Sequence, residues 1–333
     1  MAYDKVVDSV VLDGKLKTIA DAIREKTGTS DELTLDQMAE AVMGMEVGGG
    51  DDLIKRMRTV GNRAFMNDKT LTSVYFPNAN DIDEYAFLNC ENLVEANFPA
   101  LTNSNTGCFL CCTKLEKVIA PELRSIGPMY FEGCKALTVV DFPKCEYIHH
   151  DAFKGSALIV ANFPNVETLD SNAFDDCKQL REANFPKIVI VNVGTFMGCE
   201  QLSKVNIPEA TSIGSKAFYN TGLTNITLPY VKQIEPYAFK DSKKLEKLDC
   251  GIAPVFGISV FEGCSSLKAV IIRDTEGIVT ATPDTMVGSP LLTGGAFIYI
   301  PASMWDAYMV YYADYEMLFR KIEDYPEICN PTT

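Results

Sequence analysis

A repeat of 21 or 22 residues constrains this 333-residue chain more than any other feature. Ten phenylalanines recur at that interval: Phe65, Phe87, Phe109, Phe131, Phe153, Phe174, Phe196, Phe218, Phe239 and Phe261. A leucine follows each phenylalanine after five or six residues, and a small or branched apolar residue follows three positions later. A unit this short cannot bury its own apolar face, so the units must stack and share one continuous core.

The pattern within each unit predicts its local structure. The segment Leu-x-x-Val-x-Phe has apolar residues two apart, which is typical of a strand. Proline often follows, as in Phe185-Pro186, and ends the strand because it has no N–H to donate. Ala-Phe-x-x-Cys is too short for a full helix and predicts a helical turn. We therefore expect an α/β solenoid, a right-handed coil with a parallel β-sheet on one face and about 50 Å long.

The repeat also carries a family resemblance. Ile-x-x-x-Ala-Phe-x-x-Cys-x-x-Leu-x-x-Val-x-Phe-Pro resembles the BspA-like leucine-rich repeat of bacterial and protist proteins, with typical matches at residues 148–153 and 171–177. The resemblance covers about residues 51–279 and implies a leucine-rich repeat fold. Members of this family are mostly surface proteins implicated in adhesion, so it implies binding rather than catalysis. The third repeat departs from the pattern, with Ser104 at the Ile position and Ala120 at the Phe position.

Residues 1–50 differ from the repeats and form the first of three predicted parts. Apolar spacing, a Gly28 C-cap and a capping box at Thr34 predict two short helices. The run Gly48-Gly49-Gly50 predicts a flexible linker. This helical pair is similar to a short module at the start of phage tail-associated proteins of gut Gram-positive bacteria, which implies an attachment role.

Residues 280–333 form the predicted C-terminal cap, after the ten repeats of residues 51–279. Residues 295–301 repeat the strand pattern and predict an eleventh, degenerate strand. Aromatic residues three and four apart from Trp305 to Phe319 then predict a helix that covers the last repeat. An aromatic sugar platform and a dimer seam are the alternatives for that aromatic face.

Charge and hydropathy exclude several classes of partner. The chain has 45 acidic and 30 basic residues, a formal charge of −15, which argues against a nucleic-acid partner. No apolar run approaches the roughly 18 residues of a transmembrane helix, so we expect no membrane insertion. The start has no charged region followed by an apolar stretch, so no signal peptide is visible. We expect a virion-associated protein, or a surface protein that arrives by a non-standard route, and otherwise a cytoplasmic one.

No catalytic or metal motif is recognisable. The only histidines, His149 and His150, are adjacent and lie near Cys145 and Asp151 in a stretch that predicts a solvated turn. This excludes the usual Ser and Cys triads, and no phosphate loop or calcium loop is present. A regular solenoid offers a surface rather than a cleft, so we expect no enzyme, no cofactor and no metal.

Eleven cysteines are explained by packing. Six occupy the position three residues after the repeat phenylalanine: Cys90, Cys112, Cys134, Cys177, Cys199 and Cys264. Asp68, Ser156, Thr221 and Ser242 fill the same position elsewhere, so a thiol is not required. We interpret these cysteines as small buried residues and expect all eleven thiols to be free. Stacked positions lie about 5 Å apart, which leaves oxidised pairs open. Cys108 and Cys111 resemble a redox or metal pair, although Cys108 occupies the Ala position of its repeat.

Strand alternation predicts one outward residue between the two core positions of each repeat. We call this column the strip: Tyr75, Asn97, Ile119, Asp141, Asn162, Asn184, Asn206, Thr227, Asp249 and Ile271. Its asparagines predict a polar ladder, which Tyr75, Ile119 and Ile271 interrupt with exposed apolar groups. Concave faces of repeat proteins are frequent binding surfaces, so the strip is the predicted ligand site.

The resulting hypothesis is a non-enzymatic binding or adhesion module that recognises a protein or a cell-surface glycan. We favour a phage or prophage tail-associated component. The alternative is a BspA-like adhesin on a bacterial surface that contacts host or other bacterial cells. The sequence leaves the oligomeric state open.

Overall fold

The computed structural model describes residues 57–329, which form a parallel-strand β-solenoid of about 12 turns. This confirms the predicted solenoid with its C-terminal strand and helix. The helical pair and glycine linker predicted for residues 1–50 lie outside the described residues.

One side of the coil carries the longer strands and is called the long-strand face. Its strands are Ser73–Tyr75, Glu95–Asn97, Lys117–Ile119, Val160–Asn162, Glu182–Asn184, Lys204–Asn206, Asn225–Leu228, Lys247–Cys250, Ala269–Ile272, Phe297–Ile300 and Phe319–Lys321. They pair in parallel as ladders of three, three and five strands. Phe297–Ile300 pairs with Ala269–Ile272, which confirms the degenerate eleventh strand. Residues 139–141, in the coil after Ala120, do not form the strand that the repeat predicts.

A second parallel sheet, which sequence reasoning missed, forms the short-strand face. Its strands have two residues each: Thr59–Val60, Asp81–Ile82, Asn103–Ser104, Ser125–Ile126, Tyr147–Ile148, Thr168–Leu169, Ile190–Val191, Ser212–Ile213, Gln233–Ile234 and Val255–Phe256. The second residue of nine of these strands is a buried apolar side chain, and these include the recurring Ile82, Ile126, Ile148, Ile213 and Ile234. Two residues are too few to show alternation in a sequence.

The Ala-Phe segment is a hydrogen-bonded turn rather than the predicted helical turn. In the coil of Phe174, residues Asn172 and Asp176 both adopt left-handed backbone conformations, with φ of 57°. Asn, Asp and Gly tolerate this conformation best. The Phe174 N–H donates to Thr195 O of the next coil at 2.9 Å, so this side of the coil is hydrogen-bonded between coils as well.

The ten repeat phenylalanines form one continuous stack inside the coil. Successive ring centroids are between 5.1 and 6.1 Å apart, and the rings are nearly parallel. A second, shorter stack contains Phe76 and Phe98, whose ring centroids are 5.4 Å apart. It ends at the next coil, where Ala120 takes the place of the phenylalanine. Beyond it, the buried Tyr130 packs edge-on against Phe109 and Phe131.

The position three residues after the repeat phenylalanine is buried, and in most coils its side chain donates a hydrogen bond. The Cys199 thiol donates to Phe174 O of the previous coil at 3.1 Å, and the Ser242 hydroxyl donates to Phe218 O at 2.7 Å. This explains why Cys, Ser and Thr interchange there. Asp68, in the first described coil, instead accepts hydrogen bonds from Thr70 and Leu71 N–H groups.

All eleven cysteines are free thiols, and ten are buried. Burial raises the pKa of the Cys177 and Cys264 thiols to about 12, so both stay protonated and able to donate at neutral pH. Burial likewise raises the pKa of Cys108, which leaves it unreactive. Only Cys111 is exposed.

The C-terminal cap combines helices and strands. Short helices span Pro283–Met286, Pro290–Thr293 and Pro326–Cys329, and 3₁₀ turns span Ala302–Met304, Ala313–Leu318 and Ile322–Asp324. The predicted long helix covers only Trp305–Tyr312, and Phe319 belongs to a strand. Tyr315 has non-helical backbone angles, which ends the helical register of the aromatic residues.

The aromatic side chains nevertheless cover the core as expected. Tyr308 and Phe319 are buried, with their ring centroids 5.5 Å apart. The Tyr308 hydroxyl accepts the Val279 N–H at 3.0 Å, and the Tyr312 hydroxyl donates to Val279 O at 2.7 Å. The cap therefore satisfies backbone groups of the segment that follows the tenth repeat.

The hydrogen bond from the Cys199 thiol to Phe174 O gives a stability test. Serine should preserve the donor, whereas alanine removes it and leaves Phe174 O with only the hydrogen bond from the Cys177 N–H. We expect Cys199→Ser to stay within about 0.5 kcal/mol of the parent and Cys199→Ala to lose about 1–2 kcal/mol. The measurement is the urea-unfolding midpoint under reducing conditions. Equal losses in both variants would contradict the donor role.

Candidate functional site

The strip residues form one column across the long-strand face. Tyr75, Asn97 and Ile119 are register partners in the first ladder. Asn162, Asn184 and Asn206 are partners in the second, and Thr227, Asp249 and Ile271 are partners in the third. Asp141 lies in the gap between the first two ladders. The structure therefore brings the predicted residues together.

Exposure varies along this column. Tyr75 is 58% exposed, and Asp141, Asn162, Asn206 and Thr227 are also exposed. Asn97, Ile119 and Asn184 are half-buried. These eight residues are accessible as predicted.

Asp249 and Ile271 are buried, which corrects the prediction that they are exposed. The cap segment packs over the outer side of the last strands, where Ile271, Tyr299 and Cys329 form a small apolar cluster. Arg273 holds this segment in place: Nε and Nη2 donate to the two carboxylate oxygens of Asp249 at 2.8 Å each, and Nη2 also donates to Cys329 O. The accessible strip therefore ends near Thr227.

The asparagine ladder is present in the second stretch. The Asn184 side-chain amide donates to Asn162 Oδ1, and the Asn206 amide donates to Asn184 Oδ1, both at 2.7 Å. Asn97 has no such partner, because its register neighbours are Tyr75 and Ile119. The ladder orders the amides and leaves the outer edge of the column polar.

A second outward column, two residues before the strip, was missed. It contains exposed Val139 (66%) and Val160 (42%), which lie on consecutive coils directly after that of Ile119. We call Ile119, Val139 and Val160 the apolar patch. Ion pairs flank it, with Lys117 Nζ 2.8 Å from Glu95 and Lys204 Nζ 3.3 Å from Glu182. Extending the predicted strand alternation by two residues toward the N-terminus would have identified this column.

The histidines lie on the short-strand face and do not form a catalytic set. The Tyr147 ring packs 4.2 Å from the His149 ring, and the Tyr147 hydroxyl donates to the Asp170 carboxylate at 3.0 Å. Burial lowers the pKa of His149, so it is neutral at pH 7. Within residues 57–329 neither histidine hydrogen-bonds a Ser or Cys side chain; their polar partners are Asp170 and Asp151. Cys145 is buried rather than part of a solvated turn.

The described part of the chain has no cluster of His, Cys, Asp and Glu side chains that could hold a metal ion. None of its helices has the length and apolar character needed to cross a membrane. The surface does contain hollows, contrary to the expectation of a surface without clefts. One of them, with a volume of about 550 Å³, lies at the C-terminal cap.

The coil, its two faces of parallel strands and its internal phenylalanine stack define a leucine-rich repeat solenoid. Residues 58–181 and 167–282 match the model of the BspA type leucine rich repeat region, in six copies. Because these spans cover about two thirds of the chain, it belongs to the BspA-type leucine-rich repeat family. Proteins with this fold are typically non-enzymatic and generally bind other proteins.

Solved structures to which the chain is similar share little sequence identity with it. The pneumococcal vaccine antigen PcpA is 15% identical over 80% of this chain and 76% of that chain, with a TM-score of 0.48. A T. pallidum leucine-rich repeat protein is 22% identical over 59% and 78%, with a TM-score of 0.41. A Bacteroides ovatus leucine-rich repeat protein is 16% identical over 74% and 88%, with a TM-score of 0.39. No curated protein sequence matches the chain significantly.

The Arg273–Asp249 ion pair, here called the clamp, can be tested by substituting Asp249. Asp141, the equivalent residue of an exposed coil, is the control position. Asp249→Asn removes a charged acceptor, so we expect the free energy of opening the cap segment to fall by about 1–2 kcal/mol. Amide exchange at residues 322–329 should then rise about 5- to 30-fold. Asp141→Asn should leave that exchange unchanged. Equal exchange in the two variants would contradict the clamp.

Proposed function

We propose that the chain is a non-enzymatic recognition protein that binds a protein partner across the long-strand face. The observation that carries the proposal is the apolar patch. Single exposed apolar residues are ordinary, whereas contiguous ones mark interaction sites. Ile119, Val139 and Val160 lie on three consecutive coils, next to the interruption of the sheet at residues 139–141.

The surroundings of the patch support the same proposal. The pairs Glu95–Lys117 and Glu182–Lys204 and the asparagine ladder give the apolar centre a polar border. An apolar centre with a polar rim is typical of protein–protein interfaces. A glycan would suit the polar ladder, but exposed valines favour a protein.

We further propose that this recognition serves a phage or prophage tail-associated component, with the protein located on the virion. The similarity of residues 22–38 to a tail-associated helical module supports this setting. The alternative is a BspA-like adhesin displayed on the bacterial surface by a non-standard route, which membership of the family supports. Tail and baseplate genes beside the gene would favour the first setting, and their absence would favour the second.

Binding of the fluorescently labelled full chain to intact cells of the source species tests recognition. We expect saturable binding that protease treatment of the cells abolishes and periodate treatment leaves intact. Loss after periodate alone would replace the protein partner with a glycan. The absence of binding to any cell would contradict cell recognition and would indicate a scaffold role inside an assembly.

The apolar patch can be tested with matched valines. The double variant Val139→Ser/Val160→Ser should weaken cell binding at least about tenfold, since central apolar contacts carry most interface energy. Val189→Ser is the control, because Val189 is 49% exposed and precedes a strand of the other face. If the control loses as much binding as the double variant, the patch is not the contact surface.

A further inference from the structure

We infer that the cavity at the C-terminal cap is a second binding site and that its ligand is an acidic sugar, a saccharide residue that bears a carboxylate. The cavity has a volume of about 550 Å³ and is lined by Trp305, Asp314, Glu316, Arg320, Lys321 and Tyr325, among others. Its volume lies within the usual range of ligand pockets. The inference does not depend on the proposed function, because none of these residues belongs to the strip or the apolar patch.

The walls of the cavity are held by regular structure. The strand Phe319–Lys321 pairs in parallel with Phe297–Ile300, where Arg320 is the register partner of Tyr299. Trp305 begins the helix that covers the core, and Tyr325 packs edge-on against Tyr299, with ring centroids 5.5 Å apart. Side chains on such elements keep a fixed geometry, which lowers the entropic cost of binding.

Arg320 is fixed, but part of its guanidinium group is unused. The guanidinium carbon lies 3.9 Å from the centroid of the Phe297 ring. Nη1 donates to Met317 O at 3.0 Å and to Phe319 O at 2.6 Å, while Nε and Nη2 have no acceptor among the described residues. No carboxylate within residues 57–329 forms an ion pair with Arg320. A fixed guanidinium with free donors suits a carboxylate, which it can bind through two hydrogen bonds.

Lys321 adds a second cation to the same wall. Its Nζ lies 5.1 Å from the centroid of the Trp305 ring, and it makes no ion pair within the described part of the chain. A chain with a formal charge of −15 has many carboxylates to pair with its cations, and here two neighbouring cations are left unpaired. Both are therefore available to a ligand anion.

The other lining groups favour a polyhydroxylated ligand. The carboxylates of Asp314, Glu316 and Asp324 have no hydrogen-bond or ion-pair partner within residues 57–329. Free carboxylates accept hydrogen bonds from hydroxyl groups and repel highly charged anions such as phosphate esters. Trp305 and Tyr325 add aromatic surface for the C–H groups of a sugar ring. One carboxylate, several hydroxyls and an apolar ring face together describe an acidic sugar.

The chain provides its own probe, since Trp305 is its only tryptophan. Titration of the full chain with galacturonic acid should change the tryptophan emission saturably. Galactose, which lacks the carboxylate, and acetate, which lacks the ring, should bind at least tenfold more weakly. Saturation-transfer NMR on galacturonic acid provides a second readout that does not depend on emission.

Arg320→Lys keeps the charge but removes the bidentate hydrogen-bond donor, so it should lower the affinity for galacturonic acid at least tenfold. Arg124→Lys, on an exposed arginine paired with Glu146, is the matched control and should bind like the parent. If the Arg320 variant does not fold, Lys321→Gln should still weaken binding. Equal affinity for galacturonic acid and galactose, no binding by either readout, or unchanged binding in both variants would overturn the inference.

Val139→Ser/Val160→Ser should bind galacturonic acid normally, which separates this test from that of the proposed function.

Discussion

The stack of ten phenylalanines is the interaction on which the rest of the coil depends. Apart from the first and the last, each ring lies between the rings of the coils before and after it. Around Phe174 the centroids are 5.1 and 5.6 Å apart, slightly more than the spacing of hydrogen-bonded strands. Offset-stacked aromatic pairs add about 0.5–1.5 kcal/mol each beyond their area burial. Because the ring must enter the core at the same point in every coil, a missing residue is absorbed between Phe and Leu, as at Phe153 and Leu158.

The buried donor beside each ring is a second constraint of the same kind. Its hydrogen bond links the coil to the preceding one, where the phenylalanine carbonyl also accepts a hydrogen bond from its own coil. The Cys199 thiol and the Ser242 hydroxyl both make this bond, so backbone hydrogen bonding accounts for the six cysteines at this position. Together the ring and the donor fix the inner side of every coil, and only the outward columns are free to vary. Recognition is therefore expected on those columns and at the ends.

The two candidate binding sites lie in different parts of the molecule. The apolar patch arises within the repeats, where Val139 and Val160 replace the charged residues that form ion pairs on neighbouring coils. The cavity arises where the repeat ends, because the chain turns back over the last strands and places Arg320 and Lys321 beside Trp305. The same segment covers Ile271 and Asp249, so the cap both creates one candidate site and limits the other.

The sequence by itself determined the solenoid, the register of its long strands, the internal phenylalanines and the asparagine ladder. All of these follow from a periodic pattern, because each coil repeats the environment of the coil before it. It did not determine the two-residue strands of the short-strand face, whose alternation is too brief to recognise, or the left-handed turns around each phenylalanine. Only the tertiary structure decided that Ile271 and Asp249 are covered, that Phe319 lies in a strand, and that a cavity forms around Arg320. These features depend on contacts between segments far apart in the chain and outside the repeat, such as Arg273 with Asp249 and Cys329, and no local pattern encodes them.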